Sequence, residues 1–116
     1  MTDCTVYYNP DCSKCRALLA LLEERAVDAR LVDYRRTPPS AADLANLVAL
    51  LGAQAGDLLR RDDPAYATLG IESRVPDAGD IVGALVRHPQ LMQRPVVVRG
   101  ARALIARPPE RALELF

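Results

Sequence analysis

The chain has 116 residues, of which 50% are apolar and only 4% aromatic, so we expect one domain, residues 1–116, with a small aliphatic core. Fifteen basic residues balance fifteen acidic ones, which argues against direct binding of nucleic acid or of an anionic membrane surface. No stretch approaches the roughly 20 apolar residues of a membrane span.

The first third of the chain has the pattern of a β-α-β unit. Residues 5–8 are β-branched and aromatic, as in a strand, and Asn9 followed by Pro10 predicts the turn that ends it. From Ser13 the apolar spacing becomes helical, and residues 30–34 predict a second strand. Two such strands joined by a helix are expected to be parallel, with a right-handed crossover.

The middle of the chain is predicted to be helical. Ser40 and Asp43 have a spacing like that of a capping box, with Asp in place of the commoner Glu, and a helix is expected to follow Ser40. Gly52 suits the end of this helix, and a shorter helical piece is predicted over residues 54–61.

The last third predicts a helix, two strands and a final helix. Asp77 is the predicted N-cap of a helix that ends at His88. The valines at 96–98 predict a strand, residues 103–105 the returning strand of a hairpin, and residues 110–116 a last helix. The order β-α-β, helical insert, β-β-α predicts an α/β protein of thioredoxin-like fold, with a mixed sheet flanked by helices.

Cys12 lies between the first predicted strand and helix, in a Cys-x-x-Cys motif with Cys15. The unpaired amides and the dipole of a helix N-terminus stabilise negative charge, which lowers the pKa of a thiol placed there. Lys14 and Arg16 add positive potential, whereas Asp11 opposes it. Cys15, one turn along, can attack a disulfide or an adduct formed at Cys12. The motif therefore predicts thiolate chemistry at Cys12.

The number of cysteines indicates a protein whose thiols are reduced. Three cysteines without a secretory signal do not suggest a disulfide framework, so a cytoplasmic protein is expected. Cys4 is interpreted as a buried apolar residue, and Cys15 could by itself be a packed helix residue. Zinc is disfavoured and no metal is expected, because only Cys4, Cys12, Cys15 and His88 are available as ligands, without a second paired motif.

Several short motifs in fixed order extend over nearly the whole chain. They are Tyr7-Tyr8-Asn9-Pro10-x-Cys12-Ser13-Lys14-x-Arg16, Pro38-Pro39-Ser40, Leu58-Leu59-Arg60-Arg61, Tyr66-x-x-Leu69-Gly70, His88-Pro89-x-Leu91-x-x-Arg94-Pro95-Val96-Val97-Val98 and Arg107-Pro108-Pro109. With these motifs the chain resembles the arsenate-reductase family, thioredoxin-fold proteins whose relatives include the Spx-type transcription regulators.

The resemblance implies one nucleophile, Cys12, and three arginines that bind an oxyanion, Arg60, Arg94 and Arg107; Arg61 could serve in place of its neighbour. A guanidinium is a planar fork of donors that suits a tetrahedral oxyanion and stays charged at any working pH. Arg94 precedes a predicted strand and Arg107 follows one, which places both at strand ends, where a thioredoxin-like fold gathers its site.

The fold that the resemblance implies also predicts a cis peptide bond between Arg94 and Pro95, just before the strand beside the nucleophile. Two residues depart from the family's arsenate reductases. A histidine is common where Tyr8 stands, and Ser or Thr is usual where Cys15 stands. A Cys-x-x-Cys at this point is instead common in the Spx-type regulators.

The resemblance implies that the chain reduces arsenate or a similar oxyanion, with glutathione as co-substrate, glutaredoxin or thioredoxin as partner and no tightly bound cofactor. Two alternatives remain: a thiol-disulfide oxidoreductase that uses Cys12 and Cys15 as a dithiol, and an Spx-like redox sensor that binds RNA polymerase. Arg107 favours arsenate reduction, because an oxyanion site needs such a residue, whereas Cys15 favours the two alternatives.

Overall fold

The computed structural model describes residues 3–70 and 76–116. The chain forms two compact units. The first unit consists of Met1–Thr37 and Arg94–Phe116, and the second unit consists of Pro38–Gln93. The expectation that the whole chain acts as one domain remains a prediction.

The first unit contains a mixed four-stranded sheet. Its elements are β1 (Cys4–Tyr8), α1 (Ser13–Glu24), β2 (Arg30–Asp33), β3 (Val96–Arg99) and β4 (Arg102–Ile105). The strand order is β2-β1-β3-β4, in which β2 is parallel to β1 and the other two pairs are antiparallel. The predicted β-α-β unit, the hairpin and the α/β fold of thioredoxin-like type are therefore confirmed.

The register of the sheet places three chain segments at one end of it. Tyr7 in β1 pairs with Val96 in β3, and Val96 pairs with Ile105 in β4. The end of β1, the start of β3 and the end of β4 consequently lie side by side. The turn after β1, the residue pair before β3 and the residues after β4 all project from this end.

Apolar side chains from the sheet and α1 form the core of the first unit. Leu18 and Leu22, four residues apart on α1, lie on one helical face and are buried. Residues from both ends of the chain join them in one cluster, which comprises Cys4, Val6, Leu18, Leu22, Val97, Leu104, Ala106, Ala112 and Leu115.

The last helix begins one residue earlier than predicted and is a 3-10 helix, Pro109–Leu115, rather than an α-helix. Its buried residues are Pro109, Ala112 and Leu115, which recur every third position. A 3-10 helix has three residues per turn, so this spacing puts all three side chains on the face that packs against the core. The spacing was present in the sequence as a signal for this helix type.

Two helices of the second unit begin at the predicted caps. Ser40 caps α2 (Ala41–Leu51), and Asp77 caps α4 (Ala78–Arg87), each in a reciprocal capping box. α2 and α4 pack against each other through their apolar faces. A short helix, α3 (Pro64–Ala67), begins after Asp63, whose side chain accepts a hydrogen bond from the N–H of Ala65.

The helical piece predicted over residues 54–61 is wrong in its bounds and its type. A 3-10 helix, Gly52–Leu58, follows α2 directly, and Leu59 is extended and forms a bridge with Met92. The bridge is closed by two backbone hydrogen bonds: Arg60 N–H donates to the Leu91 carbonyl at 2.7 Å, and Gln93 N–H donates to the Leu58 carbonyl at 2.6 Å. This pairing with a segment distant in sequence replaces the last predicted helical turn.

The peptide bond between Arg94 and Pro95 is cis, as predicted. A second cis bond, between Arg107 and Pro108, was not predicted from the sequence. Among residues 3–70 and 76–116, no helix is long and apolar enough to cross a membrane.

The capping box of α2 yields a stability prediction. The Oγ of Ser40 accepts from the Asp43 N–H at 3.1 Å, so Ser40→Ala leaves this amide without its partner. We expect a loss of about 1 kcal/mol in the free energy of unfolding, measured by urea denaturation. The matched control is Ser13→Ala, since Ser13 is exposed; its effect should stay within about 0.5 kcal/mol. Equal losses in both variants would contradict the role of the cap.

Candidate active site

Cys12 is the N-cap residue of α1, with extended backbone angles, φ −93° and ψ 124°. Only 9% of the residue is exposed, so its sulfur is nearly enclosed by the turn. The first amides of α1 have no carbonyl partner within the helix and point toward this end. Sequence and structure therefore agree that Cys12 is placed where a helix N-terminus stabilises negative charge.

Asn9 holds the turn in shape. Its carbonyl accepts from the Cys12 N–H at 3.0 Å, and its Oδ1 accepts from the Asp11 N–H at 2.9 Å. Its own N–H donates to the sulfur of Cys15 at 3.4 Å. The sequence around Asn9 predicted only a turn. The preference of Asn side chains for bonding the backbone two residues on was the clue to this role.

Two arginines that are distant in sequence from Cys12 meet at its sulfur. The Nη2 of Arg107 lies 3.9 Å from the Sγ of Cys12, although the two residues are 95 positions apart. The Nε of Arg107 donates to the carbonyl of Arg94 at 2.8 Å, which ties the two arginines together. The guanidinium of Arg94 also donates a hydrogen bond to the Cys12 sulfur. The structure thus brings Cys12, Arg94 and Arg107 into one group.

Arg94 has unused donor capacity at this site. Its Nε is buried and has no hydrogen-bond partner among the residues that the structure describes. Burial acts to lower the pKa of Arg94, but the hydrogen bond to Cys12 and the nearby phenol of Tyr34 raise it, with a net upward shift. Tyr34 is fully buried, directly after β2, and was not predicted from the sequence to belong to the site. Arg94 is therefore a fixed cation.

The surroundings of Cys12 favour its thiolate. Burial acts to raise the pKa of the thiol, but several hydrogen bonds to the sulfur outweigh burial and lower the pKa of Cys12 to about 6. Their donors are the backbone N–H groups of Cys15 and Lys14, the Arg94 guanidinium and the thiol of Cys15. Lys14 thus contributes through its backbone N–H.

The other two cysteines are held as thiols. Burial and, after it, the negative charge of Cys12 outweigh the hydrogen bond from Asn9 and raise the pKa of Cys15 to about 11. Burial also raises the pKa of Cys4, which lies in β1 within the core cluster. All three cysteines are free. The three thiols of the chain are therefore electrostatically distinct, and only Cys12 is poised as a nucleophile.

The charge of Asp11, which opposes a thiolate, is paired at the rim of the turn. The Nη2 of Arg35 lies 3.3 Å from the carboxylate of Asp11, and the Nε of Arg35 lies 3.7 Å from Asp33. Arg16 donates a hydrogen bond to the carbonyl of Pro10 at 3.4 Å. The ion pair of Asp11 with Arg35 reduces the repulsion between this carboxylate and the thiolate.

Arg60 lies in the second unit, immediately after the bridge formed by Leu59. Its guanidinium is 3.6 Å from Asp62 and 3.9 Å from Asp63, and its side chain is 23% exposed. Its role in binding an oxyanion stays a prediction. His88 is the C-cap residue of α4, where this helix was predicted to end.

Within residues 3–70 and 76–116, no cluster of three or more His, Cys, Asp or Glu residues could hold a metal ion. The chemistry available at this site is that of a thiolate, a second thiol and two guanidinium groups. Such a set can bind a small oxyanion, attack it through sulfur and exchange thiols for a disulfide.

Comparison with known proteins identifies the same family over nearly the full chain. The model of the ArsC family matches residues 7–115. The protein YfgD of Escherichia coli strain K12, described as uncharacterized, is 40% identical over 111 residues, which are 95% of this chain and 93% of that protein. An arsenate reductase of Neisseria meningitidis serogroup A is 38% identical over 111 residues, 95% of each chain.

A solved structure agrees with the fold. The arsenate reductase from Vibrio cholerae superposes with a TM-score of 0.87 at 34% sequence identity, covering 97% of this chain and 97% of that one. The residues that the family model matches include the turn that contains Cys12 and the segments that contain Arg94 and Arg107.

The lowered pKa of Cys12 predicts its reactivity toward iodoacetamide. Because the thiolate is the nucleophile, the alkylation rate should be half-maximal near pH 6 and fall about tenfold per pH unit below it. Arg94→Ala removes one donor to the sulfur and should move this midpoint upward. Mass spectrometry of the alkylated protein reports the site.

The control for this experiment is Cys12→Ser, which retains Cys4 and Cys15. Both are buried and have raised pKa values, so the variant should stay unmodified at neutral pH. A midpoint near that of a free thiol in the unsubstituted protein would refute the assignment of Cys12.

Proposed function

The chain belongs to the ArsC family, and from that premise we propose that it reduces arsenate to arsenite with Cys12 as the nucleophile. The observation that carries the proposal is the position of Arg107, whose Nη2 lies 3.9 Å from the Cys12 sulfur. Arg94 is tied to Arg107 and donates to the same sulfur. A relative 38% identical to this chain is an arsenate reductase.

Two guanidinium groups beside a thiolate fit an oxyanion substrate. Arsenate is a tetrahedral anion, and charge-assisted hydrogen bonds from an arginine fork are short and directional. The same groups stabilise the Cys12 thiolate before the substrate enters. When arsenate binds, Arg94 and Arg107 also offset its negative charge. The two arginines thereby reduce the repulsion between the thiolate and arsenate.

In the proposed first step, the Cys12 thiolate attacks arsenic. A sulfur–arsenic bond forms, and one oxygen of arsenate leaves as water after it takes up protons. Arsenic remains in the +5 state in this thiol adduct. Arg94 and Arg107 hold the remaining oxygens and disperse the charge that develops on them.

Reduction to the +3 state takes two electrons, and we propose that thiols supply them. Glutathione is the proposed co-substrate and glutaredoxin the proposed partner, with thioredoxin as the other candidate. Because all electrons come from sulfur, the reaction needs no tightly bound cofactor. This thiol supply is that of a reducing compartment, and the cytoplasm is the proposed location.

We further propose Arg60 as a third ligand of the oxyanion. It follows the Leu58-Leu59 pair of one of the motifs that carry the family resemblance. Its two ion pairs, with Asp62 and Asp63, are partly exposed and are therefore weak enough to be exchanged for a substrate anion.

A second candidate function is thiol-disulfide exchange without arsenate. The observation that favours it is the hydrogen bond between Cys15 and Cys12, which makes the pair a dithiol at a helix N-terminus. A general dithiol oxidoreductase does not need two arginines at its nucleophile. The two functions therefore differ in their dependence on Arg94 and Arg107.

The arginines provide the test of the proposed function. Arg94→Lys and Arg107→Lys keep the charge but lose the fork, so each should lower kcat/KM for arsenate reduction by about 10- to 100-fold. Arsenite production is measured with glutathione and glutaredoxin. Cys12→Ser should abolish it.

The matched control is Arg102→Lys. Arg102 is exposed on β4 at the hairpin, and its replacement should leave kcat/KM unchanged. If Arg94→Lys and Arg107→Lys are as active as Arg102→Lys, the assignment of Arg94 and Arg107 as oxyanion ligands is wrong. Disulfide reduction that persists in the arginine variants while the unsubstituted protein forms no arsenite would favour thiol-disulfide exchange.

A further inference from the structure

We propose that Cys15 releases arsenite by attacking the sulfur of Cys12, so that reduction of arsenic is completed within one chain before any external thiol reacts. This inference rests on the proposed function and adds a second catalytic residue to it. Glutathione, glutaredoxin or thioredoxin would then reduce a Cys12–Cys15 disulfide rather than an arsenic adduct.

The two sulfurs are close enough for this step. Cys12 is the N-cap of α1 and Cys15 is its third residue, so both side chains lie on the same face of the first turn. A hydrogen bond joins the Cys15 thiol to the Cys12 sulfur. The backbone separation of two residues so placed falls within the range that a disulfide spans.

Their different accessibility determines which sulfur reacts first. Cys12 is 9% exposed and faces Arg94 and Arg107, whereas Cys15 is 0% exposed. An incoming oxyanion therefore meets only Cys12. Cys15 is shielded from external reagents, and the electrophile within its reach is the Cys12 sulfur once arsenic is bound to it.

The charges around the two sulfurs also favour reaction of Cys12 before Cys15. In the resting protein Cys15 is held as a thiol, first by burial and second by the negative charge of Cys12. A bond between Cys12 and arsenic removes the thiolate charge from that sulfur. The N–H of Asn9, 3.4 Å from the Cys15 sulfur, is already in place to stabilise the negative charge that develops there. Cys15 thus becomes a better nucleophile once the adduct exists.

The step balances without a further reactant. The Cys15 sulfur bonds to the Cys12 sulfur, and the sulfur–arsenic bond breaks with its electron pair going to arsenic. Arsenic passes from the +5 to the +3 state, and two thiols become one disulfide. The proton of Cys15 goes to an oxygen of the departing arsenite.

Cys4 cannot take the place of Cys15. It is the first residue of β1, four residues before Tyr8, and a strand of that length separates it from the Cys12 turn by about 13 Å. It is also enclosed in the core cluster. Cys4→Ala is therefore the matched control for any variant of Cys15.

The test is a single turnover of fully reduced protein with arsenate, in the absence of oxygen and of any small thiol. We expect about one arsenite per chain and the loss of two of the three free thiols. Trypsin cleaves after Lys14, between the two cysteines, so Cys15 stays joined to the preceding peptide only through a disulfide. That peptide also contains Cys4, so fragmentation of the linked pair and the digest of Cys4→Ala assign the bond to Cys12. Mass spectrometry of the digest detects this linked pair.

Variants separate the two cysteines. Without glutathione, Cys15→Ser should release less than about a tenth of the arsenite of the unsubstituted protein and should accumulate arsenic on Cys12. Added glutathione should release that arsenic, which also shows that the variant is folded. Cys4→Ala should behave as the unsubstituted protein.

Two results would overturn the inference. One is release of arsenite from the unsubstituted protein only after glutathione is added, and the other is undiminished release from Cys15→Ser without glutathione. If Cys15→Ser does not fold, the arsenite yield and the linked peptides of the unsubstituted protein still show whether Cys15 releases arsenite. If the unsubstituted protein forms no arsenite either without glutathione or with both glutathione and glutaredoxin, the proposed function is wrong. This inference is then wrong as well.

Discussion

A negative charge on the sulfur of Cys12 has to be stabilised in a turn that leaves only 9% of the residue exposed. Burial by itself would keep the thiol protonated. Backbone N–H groups from the start of α1 and the guanidinium of Arg94 reverse that preference, and the pKa falls to about 6. The first unit can be understood as the framework that holds these donors around one sulfur.

The sheet register supplies the donors that α1 cannot. Because Tyr7, Val96 and Ile105 are aligned across three strands, the segments before β3 and after β4 project from the sheet beside the turn after β1. Arg94 and Arg107 lie on those segments and are linked to each other by a hydrogen bond. The nearly enclosed sulfur of Cys12 therefore has two guanidinium groups beside it. The fully buried sulfur of Cys15 lies next to it on the first turn of α1.

The elements predicted correctly are those determined by local signals. The capping boxes at Ser40 and Asp77 and the strand-to-helix switch at Cys12 depend on neighbours within four residues, and the structure has them where the sequence placed them. The prediction was wrong over residues 54–61, because the backbone there bonds to the segment around Leu91. No local pattern records a hydrogen bond to a partner so distant in sequence.

The sequence by itself determined that Cys12 is a thiol at a helix N-terminus and that Cys15 follows one turn later, since both depend only on helical periodicity. The resemblance of its motifs singled out Arg94 and Arg107. Only the tertiary structure decided that both guanidiniums meet the Cys12 sulfur, that Asn9 and Tyr34 take part, and that Cys15 is closed to solvent. The physical reason is that burial and charge–charge distance depend on how strands pair, and strand pairing joins residues as far apart as 95 positions.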